Sequence, residues 1–251
     1  MAGAGRFVQR THPSGLNSMK GSWLCDWPWP ISPRTHLVLQ AHKDQTPSRM
    51  RRARHQFFEN PVMHDIATAK QKARKAAIAV RKIAHDAAIN APETAAAHLL
   101  KWLQSQPDIR SISGYMPIRS EIDILPAMHS LHGRGYRVSV PVIIGKSMPL
   151  KFRAWVPDAV MVAGPFGAMV PKTGAWQRPD LLLCPLLAFD ASGQRLGYGG
   201  GFYDRSIAEL APVLALGYAY GAQQVETLPH EATDMPLDGV VTENGVIWTG
   251  Q

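Results

Sequence analysis

The spacing of apolar residues divides the chain at about residue 60. From Val62, "VMHDIATAKQKARKAAIAVRKIAHDAA" is alanine-rich and carries Ile66, Ala73, Ala77, Val80 and Ala84 as one stripe at helical spacing. "NAPET" then restarts a helix: Asn90 is the expected N-cap, Pro92 fits the first turn, Glu93 can close a capping box, and the helix should reach about Gln104. "SISGYM" is a short β-rich run, and "RSEIDILPAMHSLHGRG" predicts a loop and a helix that stops at Gly133 or Gly135. "YRVSVPVI" and "LKFRAW" predict strands. "DLLLCPLLAF" predicts one continuous strand buried on both faces. After a glycine cluster, "FYDRSIAEL" predicts a helix and "VLALGYAY" a buried strand. "GVVTENGVIW" predicts a terminal strand or a hairpin turning at Asn244-Gly245. Strands alternating with helices imply an α/β three-layer sandwich with a mostly parallel central sheet flanked by helices.

The segment upstream has neither period. "WLCDWPWPISPR" mixes Trp and Pro, so residues 1–60 are expected to be a basic, poorly ordered extension and residues 61–251 the folded domain. The extension holds nine Lys/Arg and three Asp/Glu, and so accounts for +6 of the chain's net charge of +8. The basic balance is therefore a property of the extension. It gives no reason to expect a nucleic-acid partner for the core. No apolar run is long enough to span a bilayer, and no membrane partner is expected. The two cysteines, Cys25 and Cys184, show neither metal-ligand spacing nor a disulfide framework, which suits a cytoplasmic location. The Arg-rich, acid-poor extension leaves organellar targeting as the alternative. His129 and His132 form H-x-x-H without a third ligand and read as surface, and Cys184 reads as core.

The chemistry concentrates in "RLGYGGGFYDR", residues 195–205, with four glycines in five positions. A buried strand delivers the chain to its C-terminal edge, a turn at residues 190–193 reverses it, and a helix begins near Phe202. The free N–H groups of that helix and its dipole face the loop, an arrangement that favours phosphate. The glycines fit neither the Walker A nor the Rossmann pattern. By themselves they leave two readings, an anion cradle or a tight crossover packed on the sheet.

The longer string "AFDASGQRLGYGGGFYDR" resembles the signature of the 5-formyltetrahydrofolate cyclo-ligase family. "KQKAR", "GYMPIRSEIDILPAM", "GRGYRVSVPVI", "GPFGAMVPKTG" and "ATDMPLDGVVTE" resemble other family segments in the same order, over roughly residues 65–245. The resemblance implies an enzyme that uses ATP and Mg²⁺ to convert 5-formyltetrahydrofolate, with or without a polyglutamate chain, to 5,10-methenyltetrahydrofolate, as a monomer or weak dimer. The γ-phosphoryl would activate the formyl oxygen before N10 closes the ring. A paralogue acting on another formylated or pterin-like compound, or a non-catalytic nucleotide- or RNA-binding protein, are the alternatives.

Residue by residue, the resemblance assigns Lys70, Arg74 and Arg195 to the ATP phosphates, together with the loop Leu196, Gly197, Tyr198, Gly199, Gly200, Gly201, Phe202 and Tyr203. Arg195 and Tyr203 are the implied catalytic residues. Met116, Glu121, Tyr198, Gly199, Gly200, Gly201 and Phe202 are implied to contact folate. Asp204 and Asp234 are implied to hold Mg²⁺. Lys70 and Arg74, four residues apart, share a helix face, although Lys72, Lys75, Arg81 and Lys82 would equally suit a solvated basic surface. The loop departs from relatives that carry basic residues at positions 198 and 200, so fewer charges come from it.

Overall fold

The computed structural model describes residues 61–250, and the extension expected over residues 1–60 lies outside them. Four helices are α1 (Pro61–Ala87), α2 (Ala91–Leu103), α3 (Leu125–Gly133) and α4 (Phe202–Leu210). The strands are β1 (Ser111–Ser113), β2 (Arg137–Val142), β3 (Lys151–Ala154), β4 (Met161–Ala163), β5 (Met169–Pro171) and β6 (Trp176–Gln177), followed by β7 (Leu181–Cys184), β8 (Ala188–Phe189), β9 (Arg195–Leu196), β10 (Leu214–Tyr218), β11 (Gly239–Thr242) and β12 (Gly245–Trp248). Eight of them form one sheet in the order β12-β11-β10-β7-β1-β2-β3-β6. The five central strands are parallel, and antiparallel partners close both edges. Among the described residues no helix is long and apolar enough to cross a membrane.

The period of two along β7 builds both faces. Leu181 and Leu183 join α2 and α3 in one core, with Ile112, Val138, Leu216 and Val241. Leu182 and Cys184 face the other way, with Ile207 and Leu210 of α4 and with Phe152. The result is the expected three-layer sandwich. Cys184 is core, as expected, and burial pushes its thiol up to about 12. His129 and His132 are exposed.

Four local expectations are corrected. Asn90 makes no side-chain cap and Glu93 closes no capping box; instead the Thr94 backbone and hydroxyl both donate to the Asn90 carbonyl. Val80 is exposed rather than part of the buried stripe of α1. "DLLLCPLLAF" is two strands, because Pro185 has no N–H to continue the ladder; β8 beyond it turns to pair antiparallel with β9. In the terminal hairpin the connection is Glu243-Asn244, with Gly245 already paired to Thr242.

The β8–β9 hairpin follows the C-terminal end of β7 and leads into the glycine loop. Its turn is held by one carboxylate: Asp190 Oδ1 accepts from Ser192 N, Ser192 Oγ and Gln194 N, and Oδ2 accepts from Leu228 N at 3.0 Å. Leu196 is buried with Ala188, Leu187, Leu228 and Ala77 of α1, so this packing seats α1 against the hairpin.

Candidate active site

Along α1, Lys70, Arg74, Ala77, Arg81 and Ala84 recur at intervals of four and three, which is one helical face. That face points inward and carries three cations: Lys70 is 7 % and Arg81 1 % exposed, and Arg74 is half-buried. Lys72, Lys75 and Lys82 form the solvated side. The basic character of this helix therefore splits into two populations, and Arg81 belongs to the buried one. The sequence counts Arg81 among the cations that would suit a solvated surface, although its spacing with Lys70, Arg74 and Ala77 is a signal for the buried face.

Each buried cation holds a different part of the site. Lys70 Nζ donates to Asp234 Oδ2 at 2.6 Å and to Glu231 Oε2 at 2.8 Å. Burial disfavours its charge, but the two acids more than offset that and hold its pKa above the usual lysine value. Arg74 Nε donates to the Gly197 carbonyl at 3.0 Å. Arg81 donates to the Leu186 carbonyl at 3.1 Å, to Ser120 Oγ at 3.3 Å and to the Tyr198 hydroxyl at 2.5 Å. It also lies 3.7 Å from Glu121 Oε1.

The loop between these anchors supplies donors. Among the described residues no backbone N–H of residues 197–201 donates to a protein acceptor. Gly199 and Gly201 have φ of +93° and +62°, which favours glycine at both. A Cβ on Gly199 would lie 3.2 Å from the Arg74 guanidinium. A Cβ on Gly200 would lie 2.7 Å from the Phe202 ring, so any side chain there has to displace that ring. α4 starts directly behind Gly201, leaving its first amides open as well. Open amides and a helix N-terminus thus lie on one loop with the Arg74 guanidinium beside it, donors of the kind phosphate oxygens accept.

Arg195 lies below the loop. It donates to Asp204 Oδ1 at 2.7 Å and to the Met235 carbonyl at 2.8 Å, and its guanidinium stands 5.9 Å from the Tyr203 ring centre. Asp204 Oδ1 also accepts from Met235 N at 3.1 Å, so Asp204 and the segment carrying Asp234 adjoin. Asp234 Oδ2 accepts from Lys70 and from Glu231 N. Each carboxylate keeps its second oxygen outside these bonds. Among the described residues no three His, Cys, Asp or Glu side chains converge as a cage. One or two carboxylates beside a phosphate cradle suit Mg²⁺, which takes its remaining ligands from phosphate and water.

Glu121 and Tyr203 form the other half of the site. Glu121 is 6 % exposed, and its Oε2 accepts from Ile118 N at 3.0 Å. Burial raises its pKa above the usual carboxylate value, against the Ile118 hydrogen bond and the charge of Arg81. The buried Tyr203 hydroxyl has no hydrogen-bond partner among the described residues, and burial pushes its pKa well up, so it is a neutral donor. Met116 is half-buried against the α2–α3 core. Phe202 packs on the α4 core, and Phe166, on the β4–β5 turn, reaches within 6.3 Å of its ring. The sites predicted from sequence thus gather at one edge of the sheet: phosphate-type donors lie between α1 and α4, and a buried carboxylate and phenol lie nearby. Trp155 is core, and Trp176 is exposed under Arg153, so neither is part of this group.

The sequence model of the 5-formyltetrahydrofolate cyclo-ligase family matches residues 66–243. The 5-formyltetrahydrofolate cyclo-ligase of Escherichia coli (strain K12) is 36 % identical over 144 residues, 54 % of this chain and 79 % of that protein. The Haemophilus influenzae protein of the same name is 34 % identical over 155 residues, 59 % of this chain and 82 % of that protein. The solution structure of Aquifex aeolicus 5,10-methenyltetrahydrofolate synthetase superposes with a TM-score of 0.57 at 27 % identity, covering 72 % of this chain and 93 % of that one. A Mycoplasma pneumoniae 5,10-methenyltetrahydrofolate synthetase, at 21 % identity and a TM-score of 0.54, shares the fold over 71 % of this chain and 99 % of that one. With the matched segment running from the cationic face of α1 through the glycine loop to the terminal hairpin, the chain belongs to the 5-formyltetrahydrofolate cyclo-ligase family.

Proposed function

We propose that this protein converts 5-formyltetrahydrofolate to 5,10-methenyltetrahydrofolate, consuming ATP with Mg²⁺ and releasing ADP and phosphate. The observation that carries this reading is the union of an open amide cradle beside Lys70 and Arg74 with the buried Glu121 and the unpartnered Tyr203 hydroxyl. Bound ATP would supply the γ-phosphoryl group, and bound Mg²⁺ would supply positive charge against the phosphates. The loop amides, Arg74 and Lys70 would hold the phosphates, and Asp204 and Asp234 would hold the metal. Lys70 keeps Asp234 in place, and Arg195 keeps Asp204. Glu121 accepts N–H donors from the pterin edge. Tyr203 donates toward the substrate beside the reacting formyl group. With the formyl oxygen phosphorylated, N10 attacks the formyl carbon and loses its proton. Phosphate then leaves with the former formyl oxygen, and the ring is closed. The protein's contribution is positioning and charge stabilisation. A cytoplasmic location accords with a buried, free Cys184.

The direct test mixes the protein with 5-formyltetrahydrofolate, ATP and Mg²⁺ and follows the methenyl chromophore. ATP-dependent product is expected, and its absence overturns the reading. Two further outcomes follow from the site. Gly199→Ala is expected to lower kcat/KM for ATP about tenfold, because a left-handed φ costs an alanine about 1–2 kcal/mol and its Cβ crowds Arg74. Steady-state kinetics of the folded variant check this.

The second outcome concerns pH. Because the pKa of Glu121 is raised, the ionised form that binds the pterin is lost at a higher pH than for an ordinary carboxylate. KM for folate should therefore rise as pH falls through that raised value, and Glu121→Gln should abolish this acid limb. The same shift means that burying Glu121 opposes folding at neutral pH and ceases to do so below the ordinary carboxylate range. A pH profile of KM for folate that is identical in the two proteins would remove Glu121 from the site.

A further inference from the structure

We propose that a groove beside α1 seats the glutamyl tail of the folate, with Arg119 and Lys82 taking its carboxylates and Tyr198 and Ile78 covering its aryl ring. The assignment rests on the folate reading above. The groove has a volume of about 380 Å³. Its lining includes the cations Arg81, Lys82 and Arg119 and the acid Asp86; Arg81 faces Glu121 and Lys82 pairs with Asp86, which leaves Arg119 as the positive charge outside an ion pair. Ile78 and Tyr198 are 43 % and 42 % exposed and supply an apolar wall. A flat ring followed by two anions is the chemistry that such a wall and such a rim accept, and that is the make-up of an aminobenzoyl-glutamate.

Arg119 is the central residue. It stands at φ +56° on the turn leading into Glu121, and its guanidinium lies 5.1 Å from the centre of the Tyr198 ring. Among the described residues that guanidinium makes no hydrogen bond to a carboxylate or carbonyl, although its charge helps hold down the Glu121 pKa, so its donor fork is left for an incoming carboxylate. Lys82 is paired with Asp86 at 2.8 Å, but both side chains are exposed and such helical pairs exchange easily.

The placement favours folate over the nucleotide. Arg119 and Ser120 directly precede Glu121, the pterin-facing carboxylate. The nucleotide cations Lys70 and Arg74 lie further toward the start of α1, with Arg81 about 10 Å beyond Arg74 at 1.5 Å per residue. One helix thus serves phosphates with its first half and the substrate's tail with its second.

The test compares 5-formyltetrahydrofolate with 5-formyltetrahydropteroate, which lacks the glutamate. Arg119→Ala is expected to raise KM, and the Kd measured by titration without ATP, about tenfold for the glutamylated substrate, as one charge-assisted contact would. Lys82→Ala should add a smaller increase, and Arg119→Lys should recover part of the loss. At a pH above the Glu121 acid limb, the variants should change KM for the pteroate far less than KM for the glutamylated substrate, and KM for ATP should not move. An equal rise for both folates, a rise in KM for ATP instead, or no rise at all overturns the proposal while leaving the activity intact. An unaltered protein that neither binds nor converts either compound overturns the functional reading as well.

Discussion

Arg81→Ala is expected to lower kcat/KM for folate about 100-fold and the melting temperature by about 10 °C. Arg81 is 1 % exposed and bonds Leu186, Ser120 and Tyr198 while facing Glu121. Truncation strands a buried carboxylate without its counter-charge, which costs about 3–5 kcal/mol. For a domain of this size, each kcal/mol moves the melting temperature by about 2–4 °C. The functional loss has a separate cause, because Tyr198 and Ser120 lose the group that ties the glycine loop to the turn carrying Glu121. The charge of Arg81 lowers the Glu121 pKa. Its loss should therefore move the acid limb of KM for folate further upward in pH. A thermal melt gives the stability change, and the pH profile of the folded variant gives the positioning change. A folded variant with an unchanged profile would make Arg81 a purely structural residue.

Lys70→Ala should raise KM for ATP about 10- to 100-fold and leave KM for folate nearly unchanged. A hydrogen bond to a charged group contributes about 1.5–3 kcal/mol. The substitution also leaves Asp234 and Glu231 without their cation, and their charge then opposes phosphate in the proposed cradle. The stability cost should fall between that of an exposed and that of a fully buried pair, about 1–3 kcal/mol, since Lys70 is buried while water still reaches the two acids. Steady-state kinetics with each substrate varied in turn decide the matter. Equal effects on both KM values, or none, would return Lys70 to a structural ion pair.

Much of this site was legible along the chain. Gly197 to Tyr203 declare themselves by density and by the helix that follows, because a helix start and a cluster of positive-φ positions are local matters of backbone geometry. The face shared by Lys70 and Arg74 is equally local, since helical spacing alone sets it. Arg81 was not legible in the same way. Burying an arginine requires acceptors, and its acceptors come from positions 120, 186 and 198, which nothing local brings together. Similarly, Asp190 holds its turn locally through Oδ1, but its Oδ2 accepts from Leu228 N, 38 positions away.

The sequence by itself therefore determined the layer order, the buried central strand, the glycine loop with its helix, and the family. These follow from periodicity and backbone chemistry confined to a few consecutive residues. Only the tertiary structure decided which cations of α1 are buried, where "DLLLCPLLAF" breaks, and that Asp204 adjoins the segment carrying Asp234. Only it showed that Arg119, Lys82 and Tyr198 share one groove. Those outcomes depend on long-range pairing across the sheet edge, where burial makes each polar group find a partner far along the chain.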